Sequence, residues 1–487
     1  MNNNVMLPSV LQNNATDENQ SVRVESVIQE AENHTWVKNL FGKSRFVLAK
    51  KGTALAPNGS LIWKFKWNGY NAGANRMASL NRLSGGVNVL KNCRLYLKGK
   101  LISEVREVGQ NIALENTFMP YDAQTEILDQ KLYGNHQYFY NTDGSLQLEA
   151  DLGSNQVGFR GLNNSEEANV ECFVRLDQLF PVLKDTMLPS FLDGDIIIEI
   201  DWNGVWNEVL TEINDGGANF TDNERNFEVI RPRLHLNYIT MNDEVANALR
   251  QQVMSPQGMT IPYRQKVLVQ TQLNALTNND TAGSQDIELG FSNRSVMKMY
   301  IQKISSVDNP LLRNTRSDGL LQEEIQVVVN NRNLYDRDVN KVSELYSYLG
   351  QTAEKPAYLL SGTYNQVGVL TPANLNIVNN TIGLPFLAGS TTTTRDIAQN
   401  GLQGRLRYLG VNFSKVRNGQ DTPQNSILVG QSPLVLRVNR NSAKSSTSNE
   451  NDVSNSAESK GAYNLNIWVE CVKAMVLRNG GVDTMDL

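Results

Sequence analysis

The chain of 487 residues reads as an all-β protein built from two copies of one strand-rich unit. Three observations predict this. First, short runs alternate apolar and polar residues with a period of two. In DIIIEIDW, Ile196, Ile198, Ile200 and Trp202 share a face opposite Asp195, Glu199 and Asp201. Second, Asn, Ser, Thr and Gly fill the stretches between such runs, which suits turns and long loops. Third, the order of strand blocks and polar loops in the first half recurs in the second.

Residues 1–40 read as an N-terminal tail. Val24, Val27, Ile28 and Ala31 fall at helical spacing and predict a short amphipathic helix within it. KSRFVLAKKG and SLIWKFKWN then read as strands. In the second, Trp63, Phe65 and Trp67 alternate with Lys64 and Lys66. In VNVLKNCRLYLKGKLISEV, Cys93, Leu95 and Leu97 oppose Arg94, Tyr96 and Lys98. Val105, Val108 and Ile112 predict a helix. A further helix is expected from Asp122, a suitable N-cap, to Gly134.

A polar region from Asn135 to Ala168 leads into the stretch Val170 to Trp202, read as strand, short helical insert, strand. Pro181 and Pro189 bracket an insert too interrupted for a long helix, so it is expected to cap one end of a sheet. Asn203 to Arg225 reads as another polar loop. VIRPRLHLNYIT closes the unit, with Leu234, Leu236 and Tyr238 on one face. The helix MNDEVANALRQQVM follows, capped by Asn242, striped by Val245, Leu249 and Val253, and ended by Pro256 and Gly258. It reads as a connector over 242–258.

The second half repeats the order. MTIPYRQKVLVQTQL and SQDIELGFS take the places of KSRFVLAKKG and SLIWKFKWN, and RSVMKMYIQKIS that of VLKNCRLYLKGKLI. A helix from Asp338, carrying Val339, Val342, Leu345 and Leu349 and ending at Gly350, matches the one from Asp122. Gln351 to Asn400 reads as a polar loop. GLQGRLRYLGVNF and SPLVLRVNRN match the two strands of Val170 to Trp202. Ser442 to Lys460 matches the loop after them, and AYNLNIWVECVKAMVL closes the half.

The totals narrow the function classes. A net charge of −5 and a pI near 5.5 argue against sequence-independent nucleic-acid binding over the whole surface. The first twenty residues hold no Lys or Arg, so they do not form a basic arm. Cys93, Cys172 and Cys471 each sit within an apparent strand, and an odd, sparse set reads as buried thiols made in a reducing compartment. No run is long and apolar enough to span a membrane, and the opening residues do not resemble a signal peptide.

Candidate chemistry is thin. His34, His136 and His235 lack partners at metal-ligand spacing, and His235 reads as a solvated or hydrogen-bonded strand residue. No GxSxG elbow is present. Gly42-Lys43-Ser44 matches the tail of a phosphate loop, but Val37 stands where a glycine is required and a strand follows. Asp195, Glu199 and Asp201 form the densest carboxylate group on one strand face. A cation site or acid/base pair is one reading, a solvated edge or a subunit boundary the other. Trp63, Phe65 and Trp67 read as core packing in preference to a stacking platform.

LDQLFPVLKDTMLP followed by the strand IIIEID resembles the region near the end of the first barrel in double jelly-roll major capsid proteins of eukaryotic double-stranded DNA viruses: virophages, polinton-like viruses and nucleocytoplasmic large DNA viruses. The doubled architecture and the closing strand with Trp468 extend the resemblance from about Lys43 to Leu487. It implies two consecutive eight-stranded jelly rolls, over 41–241 and 259–487, with short helical insertions and long polar loops, some of them outward towers. Phe180, Leu183 and Leu188 would pack over the end of the first barrel. It also implies a homotrimer forming a pseudo-hexagonal, hexon-type capsomer of an icosahedral shell, meeting neighbouring capsomers, penton and minor capsid proteins, with an inner membrane as a further candidate partner. Such a virion protein assembles inside the host cell and is not secreted. It is a structural protein and not an enzyme, has no catalytic, cofactor or metal residues, and reads no nucleic-acid sequence directly. Two other readings stay open: a double jelly-roll glycan amidase of the secreted type, and a β-sandwich spike that binds carbohydrate or a receptor.

Overall fold

The computed structural model describes residues 21–32, 37–38, 42–67, 76–80, 86–117, 170–214, 221–222, 225–274, 282–305, 323–339, 344, 347–348, 351–352, 408–413, 425–441 and 463–487. These fall in two compact units. The first draws on Met1–Leu114, Thr125–Lys266 and Val472–Leu487, the second on Glu115–Gln124 and Val267–Cys471.

The strands up to the connector are β1 (Ser21–Glu30), β2 (Val37–Lys38), β3 (Lys43–Val47), β4 (Ala54–Leu55), β5 (Ser60–Trp67), β6 (Arg76–Leu80), β7 (Leu90–Leu97), β8 (Lys100–Arg106), β9 (Val170–Arg175), β10 (Leu188–Pro189), β11 (Ile196–Trp202), β12 (Leu210–Asn214) and β13 (Phe227–Met241). Helix α1 (Val108–Thr117) follows β8. One sheet runs β3-β11-β7-β8. In the other, β13 pairs β5, which pairs β9. Strand β1 lies on the opposite flank of β13 from β5, because Arg233, Leu234 and His235 pair with both. With the two-residue β2, β4 and β10 and the separate β6–β12 pair set aside, and the remaining eight strands numbered 1 to 8 in chain order, the sheets read 1-8-3-6 and 2-7-4-5, the order of a jelly roll.

Helix α2 (Asp243–Met254) begins at Asn242, whose side chain accepts from Glu244 N. Its buried stripe is Ala246, Leu249 and Val253, with Val245 half-buried beside it. Beyond it come β14 (Met259–Leu273), β15 (Ala282–Glu288), β16 (Ser295–Ser305), β17 (Glu323–Val329), β18 (Arg332–Asn333), β19 (Tyr408–Asn412), β20 (Ile427–Leu428), β21 (Val435–Asn441), β22 (Tyr463–Arg478) and β23 (Gly481–Asp486). The sheets are β14-β22-β16-β19 and β15-β21-β17-β18, with β20 pairing β16 and β23 pairing β22 off those paths; with these two set aside, the order is again 1-8-3-6 and 2-7-4-5. The repeat expected from the order of elements is therefore a repeat of topology.

Both cores lie between the paired sheets. In the first unit, Trp63 of β5 and Trp202 of β11 meet edge-on at 6.2 Å. In the second, Met299, Ile301, Ile467 and Val469 of one sheet pack with Ile325, Val327, Leu436 and Val438 of the other. Cys93, Cys172 and Cys471 are buried and none forms a disulfide.

Several expectations need correction. Val24 to Ala31 is not a helix: β1 runs antiparallel to β13 from Ser21 to Glu30. The omission displaced the matching of the two halves by one strand. By position, β14 corresponds to β1, β15 to β3, and β16 to β5, while β17 and β18 correspond to β7 and β8. VNVLKNCRLYLKGKLISEV is a hairpin, turning at Lys98-Gly99, where both φ angles are positive. Val105 belongs to β8 and not to the helix. The loop from Asn203 holds a helical turn, Trp206–Val209, and β12, which pairs β6. Val339 bridges Ile325, so the helix expected from Asp338 begins later: Glu344, Ser347, Tyr348, Gln351 and Thr352 are helical. Residues 340–343, 345–346 and 349–350, the helix expected from Asp122, and the loops Asn135 to Ala168 and Ser442 to Lys460 lie outside the described residues, as does Gln351 to Asn400 beyond Thr352.

Candidate functional site

The stretch Val170 to Trp202 joins the two sheets of the first unit, since β9 lies in one and β11 in the other. The chain crosses through two helical turns, Leu176–Leu179 and Val182–Asp185. Pro181 caps the second turn, where its missing N–H costs nothing. Leu176, Leu179, Phe180, Val182, Leu183 and Leu188 are all fully buried, so the insert is an apolar plug, as expected for Phe180, Leu183 and Leu188. Its polar end is Asp185. That carboxylate takes the Arg264 backbone N–H at 2.8 Å and the guanidinium at 2.9–3.1 Å. Burial pushes the Asp185 carboxyl above its ordinary range, against the pull of Arg264.

The carboxylates of β11 face the outside of the sheet β3-β11-β7-β8, and each meets a cation from a neighbouring strand. Glu199 pairs with Arg45 at 3.9 Å. Asp201 lies 3.5 Å from Lys43 and 2.8 Å from Arg94. Arg94 also meets Glu104 of β8 at 2.8 Å. Asp195, just before β11, lies 3.6 Å from Lys50. The register enforces this pattern: Glu199 stands opposite Arg45 on one side and Arg94 on the other, and Asp201 opposite Lys43. Burial, then the nearby Glu199, raises the Tyr96 phenol in the same row. The arrangement is a cross-strand charge ladder. Among the described residues, no group of three or more His, Cys, Asp and Glu side chains could hold a metal ion.

A second polar cluster sits where β7, β8 and the Trp206–Val209 turn converge. Lys91 Nζ lies 2.8 Å from both Glu107 and Glu208, and Asn203 donates to Glu208. Burial pushes Glu107 up, with Lys91 opposing it. Burial alone would lower Lys91, but Glu107 and Glu208 hold it above its ordinary value. Sequence reading missed this cluster, because its members are far apart in the chain.

The remaining candidates are placed as follows. Ser44, from the Gly42-Lys43-Ser44 triplet, lies in β3 and accepts the Trp202 indole N–H at 2.8 Å, so the triplet is strand and not phosphate loop. Trp63 and Phe65 are buried, with Phe65 stacked on Phe227 at 5.4 Å. The ring of Trp67 lies outside the described side chains. His235 is half-buried on the outer face of β13, between Ile28 and Ser60. His34 and His136 lie outside the described residues. Among the described residues, no helix is long and apolar enough to cross a membrane.

No family model matches the chain, and no curated protein does. Solved structures do. The PBCV-1 virus capsid in its quasi-atomic model covers 96% of this chain and 97% of its own, at 10% identity and a TM-score of 0.54. The chain has a double jelly-roll fold. PBCV-1 VP54, fitted into a reconstruction of the virophage Sputnik, covers the same shares at 12% identity and a TM-score of 0.54. At such identities the double jelly roll is a likeness of fold, carried by strand order and not by shared side chains.

Proposed function

We propose that this chain is a structural major capsid protein whose trimers form pseudo-hexagonal capsomers of an icosahedral virus shell. The observation that carries the reading is the exact recurrence of one jelly-roll order twice in a chain whose fold matches the PBCV-1 capsid along 96% of its length. Two barrels per chain, taken three times, supply six similar lobes, which is how a trimer can fill a place of six-fold outline. The division into a first jelly roll, the α2 connector and a second jelly roll belongs to this reading. So do neighbouring capsomers, penton and minor capsid proteins as partners, and assembly inside the host cell.

The ladder on β11 fits a scaffold role. Its charges are matched within the sheet, which specifies strand register. Native mass by light scattering, with negative-stain imaging of the same fraction, tests the proposal. Three chains of 54.4 kDa give about 163 kDa, and the particle should show a pseudo-hexagonal outline. A monomer that stays monomeric with its co-expressed shell proteins and cleaves a glycopeptide would replace this reading with the amidase one.

A further inference from the structure

The first unit is not contiguous in the chain. Its last described segment, Val472–Leu487, follows the whole of the second unit, and the crossing falls inside β22. Up to Cys471 that strand supplies Leu465, Ile467, Val469 and Cys471 to the core of the second unit. Beyond it, Val472, Ala474, Met475 and Leu477 are buried, and the strand turns back into β23. The turn is Asn479-Gly480, with φ of 50° and 65°, between the paired residues Arg478 and Gly481. Positive φ at both central residues marks a two-residue hairpin loop of the kind Asn-Gly favours.

Two separate parts of the first unit hold this turn. At the end of α2, Val253 O accepts from Gly480 N at 3.1 Å and Ser255 O from Asn479 N at 3.2 Å. Carbonyls at a helix C-terminus lack intrahelical partners, so the turn caps α2. From the β7–β8 hairpin, Lys98 Nζ donates to Gly480 O at 2.8 Å and Lys100 lies 3.0 Å from Asp483. Gly258 makes the approach possible. Its φ is +64°, and a Cβ there would stand 2.3 Å from Leu477 O and 2.5 Å from Arg478 Cβ.

We propose that the hairpin of residues 472–487 is the closing latch of the first jelly roll: it fastens α2 to the β7–β8 hairpin, and the first unit reaches its native state only once these residues are in place. On this account a chain cut within the hairpin has a complete second unit and an open first one, so trimming at Asn479-Gly480 is not a maturation step. The inference stands independently of the capsid reading.

Hydrogen–deuterium exchange on the full chain tests it. Gly258→Val should release the latch. Amides of α2 and β8 should then exchange about tenfold faster or more, while those of β15, β17 and β21 keep the parent's protection. A second variant lacking residues 481–487 should give the same pattern, which guards against a folding defect peculiar to valine at 258. Parent-like protection of α2 and β8 in the deletion variant would overturn the proposal, because the hairpin would then be ornament. Equal loss across β15, β17 and β21 would also overturn it, because the hairpin would then support the whole chain and not the first unit.

Discussion

The pair Asp185–Arg264 allows a sharp test of how the apolar plug is held. Arg264→Met keeps the stem's packing and removes the guanidinium. Both side chains are largely hidden, with 14% of Arg264 and 7% of Asp185 exposed, so solvent cannot take over the lost partner. Removing one member of a buried ion pair costs about 3–5 kcal/mol, most of it the penalty of the stranded charge. The pH dependence has a definite sign. Asp185 already stands above its ordinary value, and without Arg264 it rises further. A carboxyl raised in the folded state favours the protonated native form, so native stability grows as pH falls through the folded value. The deficit should therefore be near its full size at about pH 8 and clearly smaller at about pH 5. Urea unfolding followed by tryptophan fluorescence measures it, since Trp63 and Trp202 report on the core of this unit. Pairing the change with Asp185→Asn, which removes the charge but keeps an acceptor for the backbone N–H of residue 264, should recover most of the cost. A single variant within about 1 kcal/mol of the parent at both pH values, or a deficit that grows on acidification, would refute the reasoning.

Other outcomes can be stated briefly. Ile198→Ala and Leu436→Ala, both at fully buried places on the seventh strand of their units, should each cost about 2–5 kcal/mol in chemical denaturation. Arg437→Ala, which breaks an exposed cross-strand pair with Asp286, should leave the denaturation midpoint unchanged within error at neutral pH. The Arg437 hydrogen bond holds the Asp286 carboxyl below its ordinary value, so whatever the pair contributes is present above the unfolded carboxylate range and fades as pH falls through the folded value. A midpoint difference that widens on acidification would contradict this. Cys93, Cys172 and Cys471 are buried, and burial raises the thiol pKa of the first two. None should react with a disulfide reagent in native buffer, and all three should react in denaturant.

Much of the architecture was legible because a strand with one buried face leaves a period-two signature. β11 is the clearest case: its buried residues are Ile196, Ile198, Ile200 and Trp202, the set that shares a face in the sequence. β1 was missed for the converse reason. It is flanked by β13 alone among the described strands, and Val24 and Ile28 are 62% and 63% exposed. With apolar residues on its open side, the run imitates the spacing of a helix. The tight turns carried a usable local signal, above all Asn479-Gly480, which went unread inside a polar ending. The partners of Glu199 and Asp201 carried none. Lys43, Arg45 and Arg94 come from strands more than a hundred positions away, and only sheet register brings them together.

The ladder on the outer face of that register has a further property. Its charges change sign from strand to strand: Lys43 and Arg45 on β3, Glu199 and Asp201 on β11, Arg94 on β7, and Glu104 on β8 with Arg106 beside it. Neighbouring strands stand about 4.8 Å apart, so the fields of these charges cancel over a distance shorter than the roughly 8 Å screening length of physiological salt. Such a face exerts no pull on a distant charged polymer.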